Sequence, residues 1–404
     1  MKAILLIDIS TWKGHHEIYF KNILLVLLKN EFFVYAVCEN NLELNQWTKE
    51  FNIKNCCILD YKLSLPSKIL FKILSLLDKI VLLIFKKSPY QFSSLSSLLF
   101  VKDLLNKIGK DIPVFFTDAD TSLPVVPLWL AKLFLPKQWI TLSIQPSYKS
   151  STSWGKIKSR QRFLAENLFS LPSCKAVLSL HPIYVRFFKF RFQQEKFFCL
   201  PELIDITTNQ NSELLNKIKS LSQGKKIISL TGALLPKRNL ELLLEVCQKL
   251  NSHEYFVLIV GHLPEHCYSE KELETIKKLS LNLFKNSYIR LDYYIPNEKE
   301  FNDLLKISDI IYLQYRQHSF SSNILSKAIK LRKPVIISSG YIMEKVMKTY
   351  NWQVIVSENL NEIAETIINL TNNFDIDEDK YNQFLVDHAK EKFDLAISET
   401  LKFL

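Results

Sequence analysis

The sequence predicts an α/β chain built from two doubly wound parallel sheets, one after the other. Three observations carry that expectation. Short apolar, β-rich runs alternate with segments of helical period from the first residues to about Leu200, and the same alternation restarts near Lys225. Between them, LPELIDITTNQNSE has no clear periodicity before a short helix, as a domain boundary would. A chain of 404 residues, 48% hydrophobic and 23% charged, is long enough to bury two separate cores.

In the first half, MKAILLIDIS reads as an opening buried strand, Glu17 to Lys29 as a helix and FFVYAV as a second strand. CCILDY, PVFFTD, WITLSI and KAVLSL continue the series. Between the third and fourth strands lies a basic insertion near residues 61–110, with nine lysines against two aspartates. Within it, Ser67 to Lys87 (SKILFKILSLLDKIVLLIFKK) sets Lys68, Lys72, Ser75, Lys79 and Lys86 on a helical period against a broad apolar face. Two readings stand level: a long core helix, or a helix lying in a membrane surface with snorkelling lysines. A transmembrane span ranks third, because Lys72, Asp78 and Lys79 interrupt the apolar run. Tyr184 to Phe198 interleaves Arg186, Lys189, Arg191 and Lys196 with six phenylalanines and reads as a helix near lipid headgroups or a solvated helix with an apolar back. No nucleic-acid module accompanies it, so nucleic acid is not an expected partner.

In the second half, KKIISLTG, a helix Asn239 to Leu250, YFVLIVG, a helix Glu270 to Leu283, YIRLDYY, a helix Glu298 to Ile307, DIIYL, a helix through Leu331 and PVIIS complete a second unit. The segment Ser308 to Ser339 is the densest in information. A strand runs into the polar loop Gln314 to Ser322; a helix then carries Ile324, Leu325, Ala328 and Leu331 on one face, and Pro334 opens the next strand. Such a unit presents a loop and a helix N-terminus at the carboxyl edge of a parallel sheet, where anionic groups are held. Asp379 to Leu404 closes the chain with a helical pattern.

The order SDIIYL, a Ser-rich loop and SKAIKLRKPVI resembles the donor-binding half of glycosyltransferases of the family 4 type, group 1. That resemblance implies the glycosyltransferase B fold: two Rossmann-like doubly wound domains facing a cleft. The corresponding division is an acceptor-side domain over 1–205, a nucleotide-sugar domain over 206–378, and a terminal helix, 379–404, packing back on the first. Where the family often shows two glutamates with seven residues between them, this chain has Ser319 and Lys327. A variant with His, a Ser-Ser pair and then the helix matches His318, Ser321, Ser322 and Lys327-Ala328.

The resemblance also implies residue roles. In the loop Gly232 to Asn239 the family's Arg position is Ala233, while Lys237 is kept with Arg238 beside it. These cations at a helix mouth either neutralise a donor diphosphate or are solvated loop charges. Ser321, Ser322 and Asn323 hold a distal phosphate or sugar, or simply cap a helix. Lys327 contacts a phosphate or faces solvent. Gly261, His262 and Tyr294 close strands against which the base and ribose lie in the resembled fold. His262, Glu265 and His266 do not read as a metal site, because Pro264 breaks the helix they would need. In the loop Gly14 to Glu17, His15 is a candidate for contact with acceptor or donor phosphate, although two adjacent histidines point in different directions. Asp118 and Asp120 follow a strand, placed either to orient or deprotonate an acceptor hydroxyl or to serve as turn and cap residues.

Seven scattered cysteines without a C-x-x-C pair fit a reducing compartment, and a net charge of +11 fits phosphate-bearing partners. The expected protein is a cytoplasmic hexosyltransferase at the inner face of a membrane, metal-independent and without a cofactor. Its expected partners are a nucleotide-sugar donor, a saccharide or lipid-linked acceptor in surface polysaccharide synthesis, and an anionic membrane surface. A non-catalytic saccharide- or partner-binding relative and a sugar-nucleotide epimerase remain as alternatives.

Overall fold

The computed structural model describes the chain apart from residues 1, 10–14, 61, 63, 86–89, 148–160, 210–211, 284–285, 296, 317–319, 321, 341 and 353–358. It divides into two compact units, Met1–Leu203 with Ala389–Leu404, and Ile204–His388.

The first unit is built on a parallel sheet of seven strands: β1 (Ala3–Ile7), β2 (Phe33–Val37), β3 (Cys56–Ile58), β4 (Val114–Phe116), β5 (Trp139–Ser143), β6 (Cys174–Ser179) and β7 (Phe197–Cys199). Their order is β3-β2-β1-β4-β5-β6-β7. Because side chains alternate along a strand, Leu5 and Ile7 enter one core with Val114 and Phe116, while Ile4 and Leu6 enter the other with Phe20 and Ile23. The helix Lys390–Leu401 joins this second core through Phe393, Ile397 and Leu401, four residues apart.

The order of the five strands of the second unit is β10-β9-β8-β11-β12, all parallel. They are β8 (Lys226–Thr231), β9 (Tyr255–Val260), β10 (Ser287–Arg290), β11 (Ile310–Leu313) and β12 (Val335–Ile337). Residues 379–388, expected to return to the first unit, stay with the second. The helix Glu378–Asp387 buries Tyr381 and Phe384 against Met343, Met347 and Trp352.

Two sequence expectations are corrected. The basic aromatic segment is not one helix: Pro182–Phe192 is helical, and Phe197–Cys199 is an edge strand paired with β6. Phe188 and Phe192 stack inward, each 5.4–5.6 Å from Phe197 between ring centres, while Phe190 stays 79% exposed. Two of its cations are used internally, Arg191 against Glu166 and Lys196 on the carbonyls of Leu171 and Cys174, while Arg186 is exposed. The helix Pro182–Phe192 thus has an apolar back, Tyr184 and Phe188, and a solvated side that carries Arg186 and Phe190.

The long helix Leu65–Phe85 is not a core helix either. It is anchored through Ser67, Leu70, Leu74 and Asp78, whose carboxylate accepts from the amides of Phe92 and Ser93. On its far side, Leu65, Ile69, Ile73, Leu76, Ile80 and Leu83 form a continuous stripe, each 43–81% exposed. Lys68, Lys72 and Lys79 run along one flank of that stripe and are exposed. Among the described residues, no helix is long and apolar enough to cross a membrane.

Candidate functional site

Each sheet reverses its strand order once: between β8 and β11 in the second unit, and between β1 and β4 in the first. Open α/β sheets hold ligands at the carboxyl ends of the strands at such a reversal, since the flanking connections leave to opposite faces and open a crevice. Both reversals here carry concentrated polar chemistry, of opposite character.

In the second unit β8 ends at Gly232, which adopts φ +100°. A Cβ on Gly261, at the end of β9, would stand 1.8 Å from the Gly232 carbonyl oxygen, so only glycine permits that approach. The chain then turns through Pro236–Arg238 and Asn239, left-handed at φ 55°, into the helix Leu240–Cys247. The loop after β11 pins this turn. Arg316 donates its amide to the Lys237 carbonyl at 2.8 Å and its Nε to Asn239 Oδ1 at 2.7 Å. Its guanidinium is balanced by Glu241 and Glu272, each at 3.6 Å. Arg238 donates to the Tyr315 hydroxyl and lies 4.6 Å over that ring, while Lys237 points to the exposed side. The result is a cationic loop at the carboxyl ends of β8 and β11, the strand that leads to the helix Asn323–Lys330. At the N-terminus of that helix Ser322 has the extended backbone of a cap, but its hydroxyl makes no capping bond, and Asn323 Oδ1 is buried without a partner.

Lys327 is neither solvent-facing nor on an open phosphate site. It is 1% exposed, its ammonium ion-pairs with Glu298, donates to Asn302 Oδ1 at 2.6 Å and lies 5.4 Å from the Phe301 ring centre. The helix periodicity that suggested an outward Lys327 is overridden by the neighbouring helix Glu298–Ile307, which brings the counter-charge. His262 is exposed, in a backbone bridge with Asp292, and Tyr294 is exposed. His318, Ser319 and Ser321 lie outside the described residues, as does Gly14; His15 begins the helix His15–Lys29.

The first unit's reversal is acidic. Asp8, one residue past β1 and 1% exposed, accepts from Thr117 Oγ1 at 2.8 Å and faces His16 Nδ1 at 3.6 Å. Asp118 caps the short helix Ala119–Ser122, accepting from the Asp120 amide and the Thr121 hydroxyl, both at 2.9 Å. Asp120 Oδ2 accepts from the Gln145 amide at 2.7 Å. Burial lowers the affinity of His16 for its proton, but Asp8, Asp118 and Asp120 together outweigh it and raise its pKa. Burial, then the charge of Asp118, pushes Asp120 up to about 7, against the pull of Arg162. Burial likewise raises Asp118 and Glu166. His16 thus joins the carboxylates. Asp8, His16 and Glu166 escaped the sequence reading, as did Tyr315, Arg316 and Glu298; for Asp8, the end of a buried strand level with PVFFTD was the available signal. Among the described residues, no three His, Cys, Asp or Glu side chains are grouped as a metal site requires.

Residues 211–384 match the family model described as glycosyl transferases group 1. No curated protein matches at the sequence level. The chain is similar to a glycosyltransferase from Rickettsia africae ESF-5 (14% identity, 99% of each chain covered, TM-score 0.63). It is also similar to Anabaena Alr3699/HepE in complex with UDP-glucose (11% identity, 100% of each chain, TM-score 0.64). A UDP-N-acetylglucosamine 2-epimerase shares the fold as well (12% identity, 100% of this chain and 95% of that one, TM-score 0.59). The second unit matches the group 1 glycosyl transferase model, and the chain has the glycosyltransferase B fold of these structures.

Proposed function

We propose that the chain moves a hexosyl group from a nucleotide-sugar donor on the second unit to a saccharide or lipid-linked acceptor engaged by the first, in the synthesis of a surface polysaccharide or glycoconjugate. The observation that carries this reading is the Lys237-Arg238 turn, held by Tyr315 and Arg316 at the carboxyl ends of β8 and β11, the strand that leads to the helix Asn323–Lys330. As the bond to the sugar breaks, negative charge grows on the departing diphosphate. Fixed cations and helix amides stabilise that charge without reorganising, and this chemistry does not require a metal. Retention of configuration follows from the family resemblance, with the leaving phosphate taking the acceptor's proton. The exposed stripe of the Leu65–Phe85 helix, flanked by lysines, suits the headgroup region of an anionic leaflet, which would make the protein peripheral at the cytoplasmic face.

The test is a thermal-shift screen against UDP, GDP and ADP and their sugar conjugates. One nucleotide should stabilise the chain and lose most of its effect in Lys237→Ala; stabilisation by none would sink the donor site. The epimerase that shares the fold supports a second reading. Product analysis separates the two: a transferase releases free nucleotide diphosphate, whereas an epimerase leaves the nucleotide on the sugar.

A further inference from the structure

The reversal of the first sheet opens into a cavity of about 560 Å³, within the roughly 300–1,000 Å³ of small-molecule sites. Most charge around it is already committed. Both oxygens of Glu166 are used, by the amide and hydroxyl of Ser147 at 2.6 Å each and by Arg191. Asp8 is taken by Thr117 and His16, and both oxygens of Asp118 by its helix cap. Two further charged groups, Asp120 and Arg162, stand on the lining. Asp120 uses only Oδ2, and its Oδ1 accepts no hydrogen bond from a described residue. Arg162 donates one Nη to Gln145 Oε1 at 2.8 Å. Leu123, Val125 and Phe169 supply an apolar part of the wall.

We propose that this pocket is a subsite for an uncharged, hydroxyl-rich sugar ring, and that Asp120 is the residue that sets its preference over anionic sugars. A ring hydroxyl donates to the open Asp120 Oδ1, a charge-assisted bond of the stronger kind. A carboxylate or phosphate in the same space meets three carboxylates, Asp118, Asp120 and Glu166, against the Arg162 guanidinium and the His16 imidazole, and like charges in a dry site cost more than in water. Burial first, and the charge of Asp118 second, raise the Asp120 pKa in the same way. The assignment of this ring as the acceptor rests on the transferase reading; the binding preference itself does not.

The experiment is ligand-observed NMR on the full chain at pH 8, with methyl glucoside, methyl N-acetylglucosaminide, glucuronate and glucose 6-phosphate. Wild type is expected to bind the neutral glycosides at least tenfold more tightly than the anions. Asp120→Asn, an isostere that keeps an acceptor for the Gln145 amide, should weaken neutral binding several-fold and bring the ratio within about threefold. Arg162→Gln should move the ratio the other way, which a structural role for either residue would not do. Anions bound as tightly as neutral glycosides, a ratio indifferent to both substitutions, or no glycoside binding would each overturn the proposal. Nucleotide stabilisation lost in Lys237→Ala but kept in Asp120→Asn would leave the donor reading standing if this one fails. The converse pattern would leave the sugar subsite standing alone.

Discussion

Lys327 and Glu298 offer the sharpest quantitative test, because the two members of the pair differ in burial. Lys327 is 1% exposed, whereas the Glu298 side chain retains 30% exposure. Replacing Glu298 by Gln leaves a buried ammonium without its counter-charge, a loss of about 3–5 kcal/mol for a broken buried pair. Replacing Lys327 by Met leaves a carboxylate that can rehydrate at the surface, together with an Asn302 oxygen that loses its donor, for about 1–2 kcal/mol. The order of the two costs is therefore fixed by which charge is trapped, even though both substitutions delete the same ion pair. The double variant should resemble Lys327→Met, since no trapped charge remains.

Thermal unfolding of the intact chain is the assay. At about 2–4 °C per kcal/mol for a domain of 150–250 residues, Glu298→Gln should lower the midpoint by at least about 6 °C and Lys327→Met by roughly half that or less. A Glu298→Gln midpoint at or above that of Lys327→Met, or strict additivity in the double variant, would refute the reasoning. The same samples address the donor. If Lys327 instead served a phosphate, a nucleotide diphosphate would rescue Glu298→Gln selectively by replacing the missing anion.

Three further outcomes are expected. Gly261→Ala should cost about 3 kcal/mol by forcing apart the ends of β8 and β9, where the new methyl meets the Gly232 carbonyl at 1.8 Å; a thermal midpoint unchanged from wild type would contradict it. Leu76→Asp with Leu83→Asp should abolish co-flotation with phosphatidylglycerol vesicles yet leave the midpoint within about 1 °C, since both side chains are already in solvent; vesicle binding that survives would remove the membrane role of this helix. For Asp120, burial and the neighbouring Asp118 raise the folded pKa to about 7, above the ordinary 3.8 of an aspartate. Its contribution to stability is therefore full below pH 3.8 and lost as pH rises towards 7, by up to about 4 kcal/mol. Asp120→Asn should flatten that slope and be the more stable form at pH 8; urea unfolding at pH 4 and pH 8 reads the difference.

The strands of the second unit were legible because each is a continuous apolar run closed by a turn residue: β8 by Gly232 and β9 by Gly261. A buried parallel strand has no alternative use for such a run. The edge strand β7 was hidden because three residues, Phe197–Cys199, sit at the end of a phenylalanine-rich stretch, and only pairing with β6 makes them a strand. The Leu65–Phe85 helix was legible in extent but not in orientation. Its sequence is apolar nearly all round, and which side is covered depends on Phe92, Ser93 and the packing of Leu74, all outside the local pattern.

The site followed the same division. Lys237 and Arg238 were visible because a glycine-ended strand, a turn and a helix are contiguous in sequence. Their supports, Tyr315 and Arg316, stand 77 positions away, and Glu298 stands 29 positions from Lys327. Side chains that meet through tertiary structure leave no periodic trace. The acidic group of the first unit is the extreme case, since Asp8, His16 and Asp118 come from two distant segments that meet only where β1 lies beside β4.

The two reversals, seen together, carry opposite charge at equivalent positions in the strand order. Group transfer sets different demands on its two substrates. The donor site must meet negative charge that grows on a leaving diphosphate, which calls for fixed cations and amides such as those around Lys237, Arg238 and the Asn323–Lys330 helix. The acceptor site must hold a neutral hydroxyl by a hydrogen-bond acceptor and must not trap the donor's phosphates in its place. A pocket lined by Asp118 and Asp120 meets both conditions at once, since the carboxylate that accepts a hydroxyl is also the group that turns a diphosphate away. Charge reversal at Asp120, to Lys, should therefore do more than weaken acceptor binding: it should create a second, unproductive nucleotide site, visible as a stoichiometry above one in calorimetry. A stoichiometry of one with unaltered acceptor affinity would show that the acidic reversal has no part in sorting the two substrates.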